Sequence, residues 1–441
     1  MRPPLSNRTR ALRFVAAASA LLIVGCTSAP QAGSPGPSGG AEPSAAPSPA
    51  LSAPEAPSPS FAPTTAPSPT ASSLPVVGAA PSGPWSRLDW IDAGAVVPLG
   101  PTNVSVHGWS GGYVALEQTG GSDENGNDIP VVIRSSASSD GIHWAAPTTI
   151  DTSGIVGNIE VTDIVEGPSG LLALGYPVGD TCGGPPTVAA LWTSPDGGNW
   201  RRVGLPKDFR TGQVHTIDGG SAGFIATGSR ADGTTQALWT SPDGRAWTSR
   251  PLPKVSSGTL LLDGATSFAG GFVLAGAVLG EGECGGPAHV HAATWWSADG
   301  VAWSRSTLPG SMTAANAGIG VQAISDRVVI VTQSSPDGSK LLAWTSTDGR
   351  SWATVHAPSD QLTLDPVTDG RHAALMMDPD SGSGAPTVFS VGEDAGITTL
   401  GQSGNGPIAS EDSAGRTFAV GRTGILVVRY DGAEAWLGLP S

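Results

Sequence analysis

The sequence predicts an all-β fold, a single propeller of about seven four-stranded blades, with six blades as the alternative. Two observations lead to this prediction: a short tryptophan-bounded segment recurs along the chain, and a glycine-led apolar strand precedes its copies. A period of about 40 to 50 residues is typical of propeller blades, each of which is a small antiparallel sheet. No convincing helical pattern follows the N-terminal segment.

The recurring segment is clearest at 192–200, which reads WTSPDGGNW, and it returns at 239–247, 295–303 and 344–352. A fifth copy, at 138–144, lacks the first tryptophan. Successive aspartates stand 56, 47, 56 and 49 residues apart. The repeated aspartates and closing tryptophans are Asp140, Asp196, Asp243, Asp299 and Asp348, with Trp144, Trp200, Trp247, Trp303 and Trp352.

A glycine and an apolar run precede the clear copies, as in 112–116, 170–174, 223–227 and 271–275. Continuous apolar runs of this length are typical of strands that are buried on both faces. Each repeat therefore divides into strand a, a turn, strand b, a variable loop, strand c, the aspartate turn and strand d.

Two weaker repeats follow the five clear ones. In the sixth, 373–376 and 387–390 are predicted as strands b and c, and Asp394 is the relic of the motif. In the seventh, the predicted strands are 417–421 and 425–429. We also expect the segment 85–91 to pair with the last blade and close the ring, because closure removes exposed sheet edges.

The pattern Ser-x-Asp-Gly-x-x-Trp resembles the Asp box, or BNR repeat, of sialidases, sortilin-type receptors and photosystem assembly propellers. The resemblance covers five turns. In such a turn the aspartate accepts hydrogen bonds from its own backbone amides, while the serine caps the turn. The glycine supplies a positive φ, and the tryptophan packs between blades. We therefore expect the five aspartates to be structural and not catalytic.

The N-terminus predicts export. Four arginines precede the uncharged apolar run 14–24, which is too short to span a bilayer. The run ends in Leu22-Ile23-Val24-Gly25-Cys26, which resembles the lipobox of bacterial lipoproteins. The resemblance implies a signal peptide over 1–25 and a lipidated Cys26 that anchors the chain to the outer face of a membrane. A plain secretory signal is the alternative.

Residues 26–84 are predicted to form a disordered tether, and 85–441 the propeller. The tether is rich in Pro, Ser and Ala and repeats the tetrapeptide APSP three times. A glycosylated stalk is left open. Without the four signal arginines, 18 basic residues face 37 acidic ones, a net charge of −19. That charge argues against nucleic acid as a partner, and we expect a monomer.

Cys182 and Cys284 form an even pair in an oxidising compartment, which favours a disulfide. Their loops, DTCGGPP and ECGGPA, are similar and are predicted to emerge on one face from blades two and four. Two free thiols, inherited when a loop was duplicated, are the alternative.

The variable loops include one weak metal candidate. The loop 123–128 clusters oxygen ligands suitable for calcium, although it lacks the EF-hand register. A solvated polar turn is the alternative. His289 and His291 alternate along an extended segment and form a further possible metal pair without a third ligand. The calcium candidates are Asp123, Asn125, Asn127 and Asp128.

The function indicated by the sequence is a membrane-anchored scaffold that binds a protein or glycan of the cell envelope. The sialidase catalytic set is not recognisable: Arg134 lacks the expected neighbours, and Tyr113, Tyr176 and Tyr430 make no convincing nucleophile. No cofactor is expected. The ligand is expected at the rim formed by the variable b-to-c loops. The alternative function is a glycoside hydrolase or lyase that uses carboxylates of this rim. Candidates for these are Glu117, Asp123, Asp128 and Asp180.

Overall fold

Strands dominate the part of the chain that the structure describes. In those residues a computed structural model contains 29 strands and one short helix, α1 (Lys207–Thr211). No helix there is long and apolar enough to cross a membrane. The described residues are 79–80, 85–96, 104–122, 128–155, 158–178, 188, 190–268, 270–280, 290–312, 318–325, 328–334, 341–355, 364–368, 373–377, 387–391, 397–403, 416–429, 432 and 434–441.

The first three blades are four-stranded antiparallel sheets in which strand order follows chain order. Blade 1 consists of β2 (Val104–Trp109), β3 (Gly112–Ser122), β4 (Asp128–Ser138) and β5 (Thr148–Thr149). Blade 2 consists of β6 (Asn158–Gly167), β7 (Gly170–Val178), β8 (Ala190–Ser194) and β9 (Arg201–Val203). Blade 3 consists of β10 (Gln213–Gly220), β11 (Gly223–Ser229), β12 (Gln236–Ser241) and β13 (Thr248–Arg250).

The next three blades repeat this order. Blade 4 consists of β14 (Thr259–Phe268), β15 (Gly271–Leu279), β16 (Val290–Ser297) and β17 (Ser304–Thr307). Blade 5 consists of β18 (Gly318–Ser325), β19 (Val328–Ser334), β20 (Leu341–Ser346) and β21 (Ala353–Val355). Blade 6 consists of β22 (Leu364–Thr368), β23 (Ala373–Met377), β24 (Thr387–Val391) and β25 (Ile397–Thr399).

A further sheet of five strands joins the two ends of the propeller, and we call it the closing blade. Its N-terminal strand β1 pairs antiparallel with the C-terminal strand and parallel with β26. The carbonyl of Ser441 accepts hydrogen bonds from both the amide and the hydroxyl of Ser86, at 3.4 and 2.9 Å. The strands of this blade are β1 (Arg87–Gly94), β26 (Gly401–Ser403), β27 (Arg416–Gly421), β28 (Gly424–Arg429) and β29 (Ala435–Pro440).

The sheets form a closed ring, which confirms the predicted propeller of four-stranded blades. The first strands of successive sheets contact each other from β2 through β6, β10, β14, β18 and β22 to β27, and β27 contacts β2. The predicted number of about seven blades counts the closing blade as one. The predicted pairing of 85–91 with the last blade is also confirmed, because Leu88 lies opposite Pro440.

Antiparallel order places the connections on two faces. We call the four strands of each blade a to d, where strand a borders the central channel of the ring and strand d lies outermost. The a-to-b turns and the aspartate turns lie on one face, which we call the turn face. The b-to-c loops and the connections between blades lie on the opposite face, which we call the loop face. Strand a therefore begins near the loop face.

The core lies between the blades. Every residue of β11 is buried, as expected for a strand covered on both faces. Leu172 and Leu191 of blade 2 pack with Phe224 and Trp239 of blade 3 in one apolar cluster. Phe209 of α1 lies in the same cluster, with its ring centroid 5.2 Å from that of Trp239. Burial at these contacts stabilises neighbouring blades jointly.

The five aspartate turns share one hydrogen-bond pattern. In blade 3, Oδ1 of Asp243 accepts hydrogen bonds from the amides of Arg245 and Ala246, both at 2.9 Å. The hydroxyl of Ser241 lies 3.3 Å from the same oxygen and accepts from the amide of Asp243. In blade 4 the equivalent backbone hydrogen bonds lower the pKa of Asp299 to about 2. The carboxylates of the five turns thus accept hydrogen bonds from the backbone amides of their own turns.

The turn glycines face the preceding blade at close range. Gly197 has a φ of +75°, and a Cβ there would lie 2.3 Å from Cγ2 of Val114 in blade 1. Gly349 has a φ of +68°, and a Cβ there would lie 2.6 Å from Cδ1 of Trp296 in blade 4. Glycine is therefore required for both the backbone conformation and the packing between blades.

The tryptophans of the motif fall into two classes. The first tryptophans, such as Trp192 and Trp239, are at most 2% exposed. The closing tryptophans, such as Trp247, are half-buried and pack against the clusters between blades. Nε1 of Trp247 also donates a hydrogen bond of 3.0 Å to the carbonyl of Gly244 in its own turn. The first tryptophan therefore contributes more buried surface than the closing one.

Substitutions in blade 3 test this ranking. We expect Trp239→Ala to lower the free energy of unfolding by about 3 to 5 kcal/mol, and Trp247→Ala by about 2 kcal/mol, because less of that ring is buried. Asp243→Ala is expected to cost about 1 kcal/mol, since the released amides are open to water. Urea denaturation of the purified variants measures all three. An equal loss of unfolding free energy in Trp247→Ala and Trp239→Ala would contradict the ranking.

The glycine requirement is tested by two matched alanine variants. Gly154 has a φ of +69° but nothing within 4 Å of a Cβ, so Gly154→Ala carries only backbone strain, about 1 kcal/mol. Gly197→Ala adds the collision with the buried, stiff Val114 and should cost about 1 to 3 kcal/mol more. Equal melting temperatures for the two variants would show that the turn does not press on the neighbouring blade.

Candidate functional site

Several residues predicted from the sequence lie outside the described part of the chain. The backbones of Asp128 and His291 are described, as members of β4 and β16, and their side chains are not. The disulfide, the calcium loop and the histidine pair therefore stay predictions. Outside the described residues are Cys26, Asp123, Asn125, Asn127, Asp180, Cys182, Cys284, His289, Asp394 and Tyr430.

The expectation that Glu117 is a rim carboxylate is wrong. Glu117 is 1% exposed and lies opposite Arg134 in the paired strands β3 and β4. Nη2 of Arg134 lies 2.5 Å from Oε2 of Glu117. A buried carboxylate needs a charged partner, and Arg134 fills that role inside blade 1.

The two tyrosines in the described residues are buried. The hydroxyl of Tyr113 donates a 2.9 Å hydrogen bond to the carbonyl of Gly424, across the junction with the closing blade. The hydroxyl of Tyr176 donates a 3.3 Å hydrogen bond to the carbonyl of Val214 in blade 3. Both side chains join neighbouring blades, and neither faces a cleft as a nucleophile would.

The inner strands of blades 2, 3 and 4 share an irregularity that the sequence analysis missed. Pairing between strands a and b slips by one residue in β6, β10 and β14. The extra residue is Thr162, His215 and Asp263 respectively, each eight positions before the glycine that begins strand b. Alignment of the repeats on that glycine would have brought the three together. The slip itself leaves no signal in one repeat read alone.

A β-bulge changes the direction of a side chain and is frequent beside functional sites. The three bulges lie in the first half of strand a, at the third of eight residues in β10 and at the fifth of ten residues in β6 and β14. The free edge of strand a borders the central channel, because strand b occupies the other edge. We call the bulged part of the inner strands of blades 2, 3 and 4 the channel mouth, defined by Asp163, His215 and Asp263. Asp218 lies two residues before the end of β10, nearer the turn face.

Asp263 is the extra residue of the bulge in β14. Its carboxyl is half-buried, and the surrounding protein raises its pKa to about 7, because burial disfavours the charged form. No hydrogen bond reaches this carboxyl from the described residues.

Asp218 lies in a hydrogen-bonded network that crosses three blades. Its carboxylate accepts hydrogen bonds from the hydroxyl of Thr266 in blade 4 and, at 2.8 Å, from the amide of Gly219. Thr266 Oγ1 accepts a 3.0 Å hydrogen bond from the amide of Ala323 in blade 5. Burial raises the pKa of Asp218 to about 7, and the nearby Asp163 adds to this shift.

His215 shows the same combination of access and desolvation. The residue is exposed, yet burial of the imidazole lowers its pKa, so the neutral form is favoured. Nε2 lies 3.4 Å from Oε1 of Gln213 on the same strand. Burial thus favours the neutral imidazole of His215 and raises the pKa of the Asp218 and Asp263 carboxyls to about 7.

The inner strands carry a one-sided charge. Their described residues include one basic residue, Arg416, at the start of β27. Within the same residues no group of three His, Cys, Asp or Glu side chains is placed to hold a metal ion. Carboxyls with a pKa near 7 can donate or accept a proton at neutral pH and can bind hydroxyl or amino groups. The acidic residues of the inner strands are Glu160, Asp163, Glu166, Asp218, Asp263 and Asp365.

Comparisons with known proteins give a likeness of fold. No protein family and no curated protein matches the chain. A Hadza microbial sialidase is 12% identical over 83% of this chain and 94% of its own, with a TM-score of 0.36. An α-L-arabinofuranosidase from Fusarium graminearum is 14% identical over 70% and 96%, with a TM-score of 0.35.

A prolyl endopeptidase structure is 13% identical over 75% of this chain and 47% of its own, with a TM-score of 0.40. These structural neighbours are thus enzymes of different chemistry. At such identities and scores the likeness carries no argument about function. The function of this chain has to be argued from its own channel mouth.

The raised pKa values predict that the propeller is less stable in base. A carboxyl has a pKa of about 4 in the unfolded chain and about 7 at Asp218 and Asp263. Their contribution is present below about pH 4 and is lost as the pH rises through about 7. We expect the melting temperature to fall between pH 5 and pH 8, and Asp263→Asn to reduce that fall. If the melting temperature of Asp263→Asn falls with pH as steeply as that of the unchanged protein, another group is responsible for the fall.

Proposed function

We propose that the protein is a lipid-anchored, extracytoplasmic propeller that binds a protein or carbohydrate of the cell envelope at its loop face, without catalysis. The observation that carries the proposal is the channel mouth, where the inner strands of three neighbouring blades of a closed ring share a β-bulge. Solvent reaches it, and its polar groups include one carboxyl without a hydrogen bond from the described residues. β-bulges are frequent beside functional sites, where they redirect a side chain.

The anchor and the tether are part of this proposal. Lipidation at Cys26 would hold the chain at a membrane surface, and residues 26–84 would let the propeller reach ligands in the envelope. The closing blade begins where the tether ends, so the ring forms from residue 85 onward. The Cys182–Cys284 disulfide would stiffen two loops of the loop face.

The proposal also identifies the aspartate turns as Asp boxes. Their hydrogen bonds to the turn amides, and the close approach of their glycines to the preceding blade, support a structural role. The turns lie on the face opposite the channel mouth. We therefore assign them no part in binding.

A glycoside hydrolase is the second candidate, and one observation favours it. Asp218 and Asp263 both have a pKa of about 7, in the range that suits a general acid. Glycoside hydrolysis needs a pair of carboxyl groups that flank the scissile bond. Asp123, Asp128 and Asp180 from the loops stay candidates for this role, and the buried Glu117 does not.

Two assays of the full mature chain separate the candidates. Retention of an envelope glycan or protein by the immobilised protein, without turnover of a chromogenic glycoside panel that includes sialosides, is the result expected for a binding scaffold. Asp263→Asn should reduce that retention, while Asp89→Asn, on the outer strand β1, should leave it unchanged. Glycoside turnover that is lost in Asp263→Asn or Asp218→Asn would overturn the non-catalytic proposal in favour of the hydrolase.

A further inference from the structure

We propose that the membrane tether and the ligand engage opposite faces of the ring: the tether leaves from the turn face, and the loop face is directed away from the membrane. This inference rests on the proposed function, because it gives the orientation of the binding face and the side from which a partner reaches it. It follows from the contacts of the first described residues and from the charges of the two faces.

The first described residues lie at the turn face. The amide of Ala80 donates a 2.8 Å hydrogen bond to the carbonyl of Arg422. Arg422 belongs to the turn between β27 and β28, the two innermost strands of the closing blade, so Ala80 lies at the inner part of the turn face. Ala80 also packs against the apolar cluster that contains Trp85. The chain is therefore fixed to the ring before its first strand begins.

The first strand also begins at the turn face. In the pairing of β1 with β29, Leu88 lies opposite Pro440 and Gly94 lies opposite Ala435. Because β29 is strand c and ends at the turn face, β1 starts there and runs toward the loop face. Ala80 and the start of β1 are thus both on the turn face, one near the channel and the other toward the outer side of the blade.

This point of exit decides which face the tether holds nearer to the membrane. A flexible coil of the length of residues 27–78 has an r.m.s. end-to-end distance of about 40 Å. To rest the loop face on the membrane, the tether would have to cross a blade, about 15 Å, and then follow its height, about 23 Å. That path uses most of the average reach of the tether. The turn face meets the membrane without it.

The charges of the connecting segments favour the same orientation. The segments between strands b and c, on the loop face, contain eleven acidic and two basic residues. The a-to-b and c-to-d turns, on the turn face, contain nine acidic and five basic residues, and Arg245, Arg350 and Arg422 among these are exposed. Anionic headgroups repel the more negative loop face within a Debye length, about 8 Å. The turn face is thus the more favourable one to lie next to the membrane.

The orientation restricts the partner of the loop face. A ligand at the channel mouth has to be reached from the side away from the anchoring membrane. The lipid headgroups of that membrane are therefore excluded as the ligand, and a protein or glycan that extends beyond the membrane surface fits.

Energy transfer tests the inference on the mature chain, held by an N-terminal His tag on vesicles of phosphatidylcholine, phosphatidylglycerol and a nickel-chelating lipid. Ala246→Cys and Ala231→Cys place a donor dye at exposed positions on the turn face and the loop face of blade 3. Because β11 separates them by about 23 Å, we expect transfer to a rhodamine-labelled lipid to be at least about twofold stronger from Ala246→Cys. Ala302→Cys, on the turn face of blade 4, should match Ala246→Cys.

Two controls belong to this experiment. Cys26→Ser removes one native thiol in all variants, and the chain without a new cysteine corrects for dye on Cys182 and Cys284. In 1 M salt the Debye length falls to about 3 Å. The difference between the faces should persist there, because the point of exit does not depend on charge.

The remaining outcomes overturn the inference. Equal transfer from the two faces, stronger transfer from Ala231→Cys, or a difference that disappears in 1 M salt would each contradict it. None of these results depends on lipidation, since the tag replaces the lipid. Mass spectrometry of Cys26 and retention of envelope material by the immobilised protein decide separately whether the proposed function stands.

Discussion

The constraint on which the structure depends is that each blade buries both of its faces. Strand b of blade 3 has no residue open to water, and its apolar side chains reach both neighbouring blades. A sheet of this kind cannot end in solvent, so the array has to close. The N-terminal strand provides the closure by pairing with the C-terminal strand, which ties the first and last folded segments together.

The aspartate turns bring neighbouring blades into register at the turn face. A carboxylate gathers the amides of a tight turn, and the turn then offers a glycine to the blade before it. Hydroxyl groups add hydrogen bonds across the same junctions, as from Ser169 to the carbonyl of Asp243 and from Thr423 to the carbonyl of Asp140. The repeated motif is therefore explained by assembly of the ring.

The opposite face shows a different use of the repeat. In blades 2, 3 and 4 the inner strand gains one residue in its first half, and the gained residue differs in each blade. Ionisation of the desolvated carboxyls of Asp218 and Asp263 costs stability as the pH rises through about 7. Polar groups that a fold keeps at a cost in stability are expected where a protein binds or reacts.

The sequence by itself determined the repeat, the aspartate turns, the strand order within a blade and the closing role of residues 85–91. These features are local, because a turn motif and an apolar run depend on residues close together in the chain. Only the tertiary structure decided that Glu117 is buried against Arg134, and that Asp163 and Asp218 of adjacent inner strands lie near one another. Such groupings depend on strand register and on contacts between blades about 50 residues apart, and no pattern within a single repeat contains them.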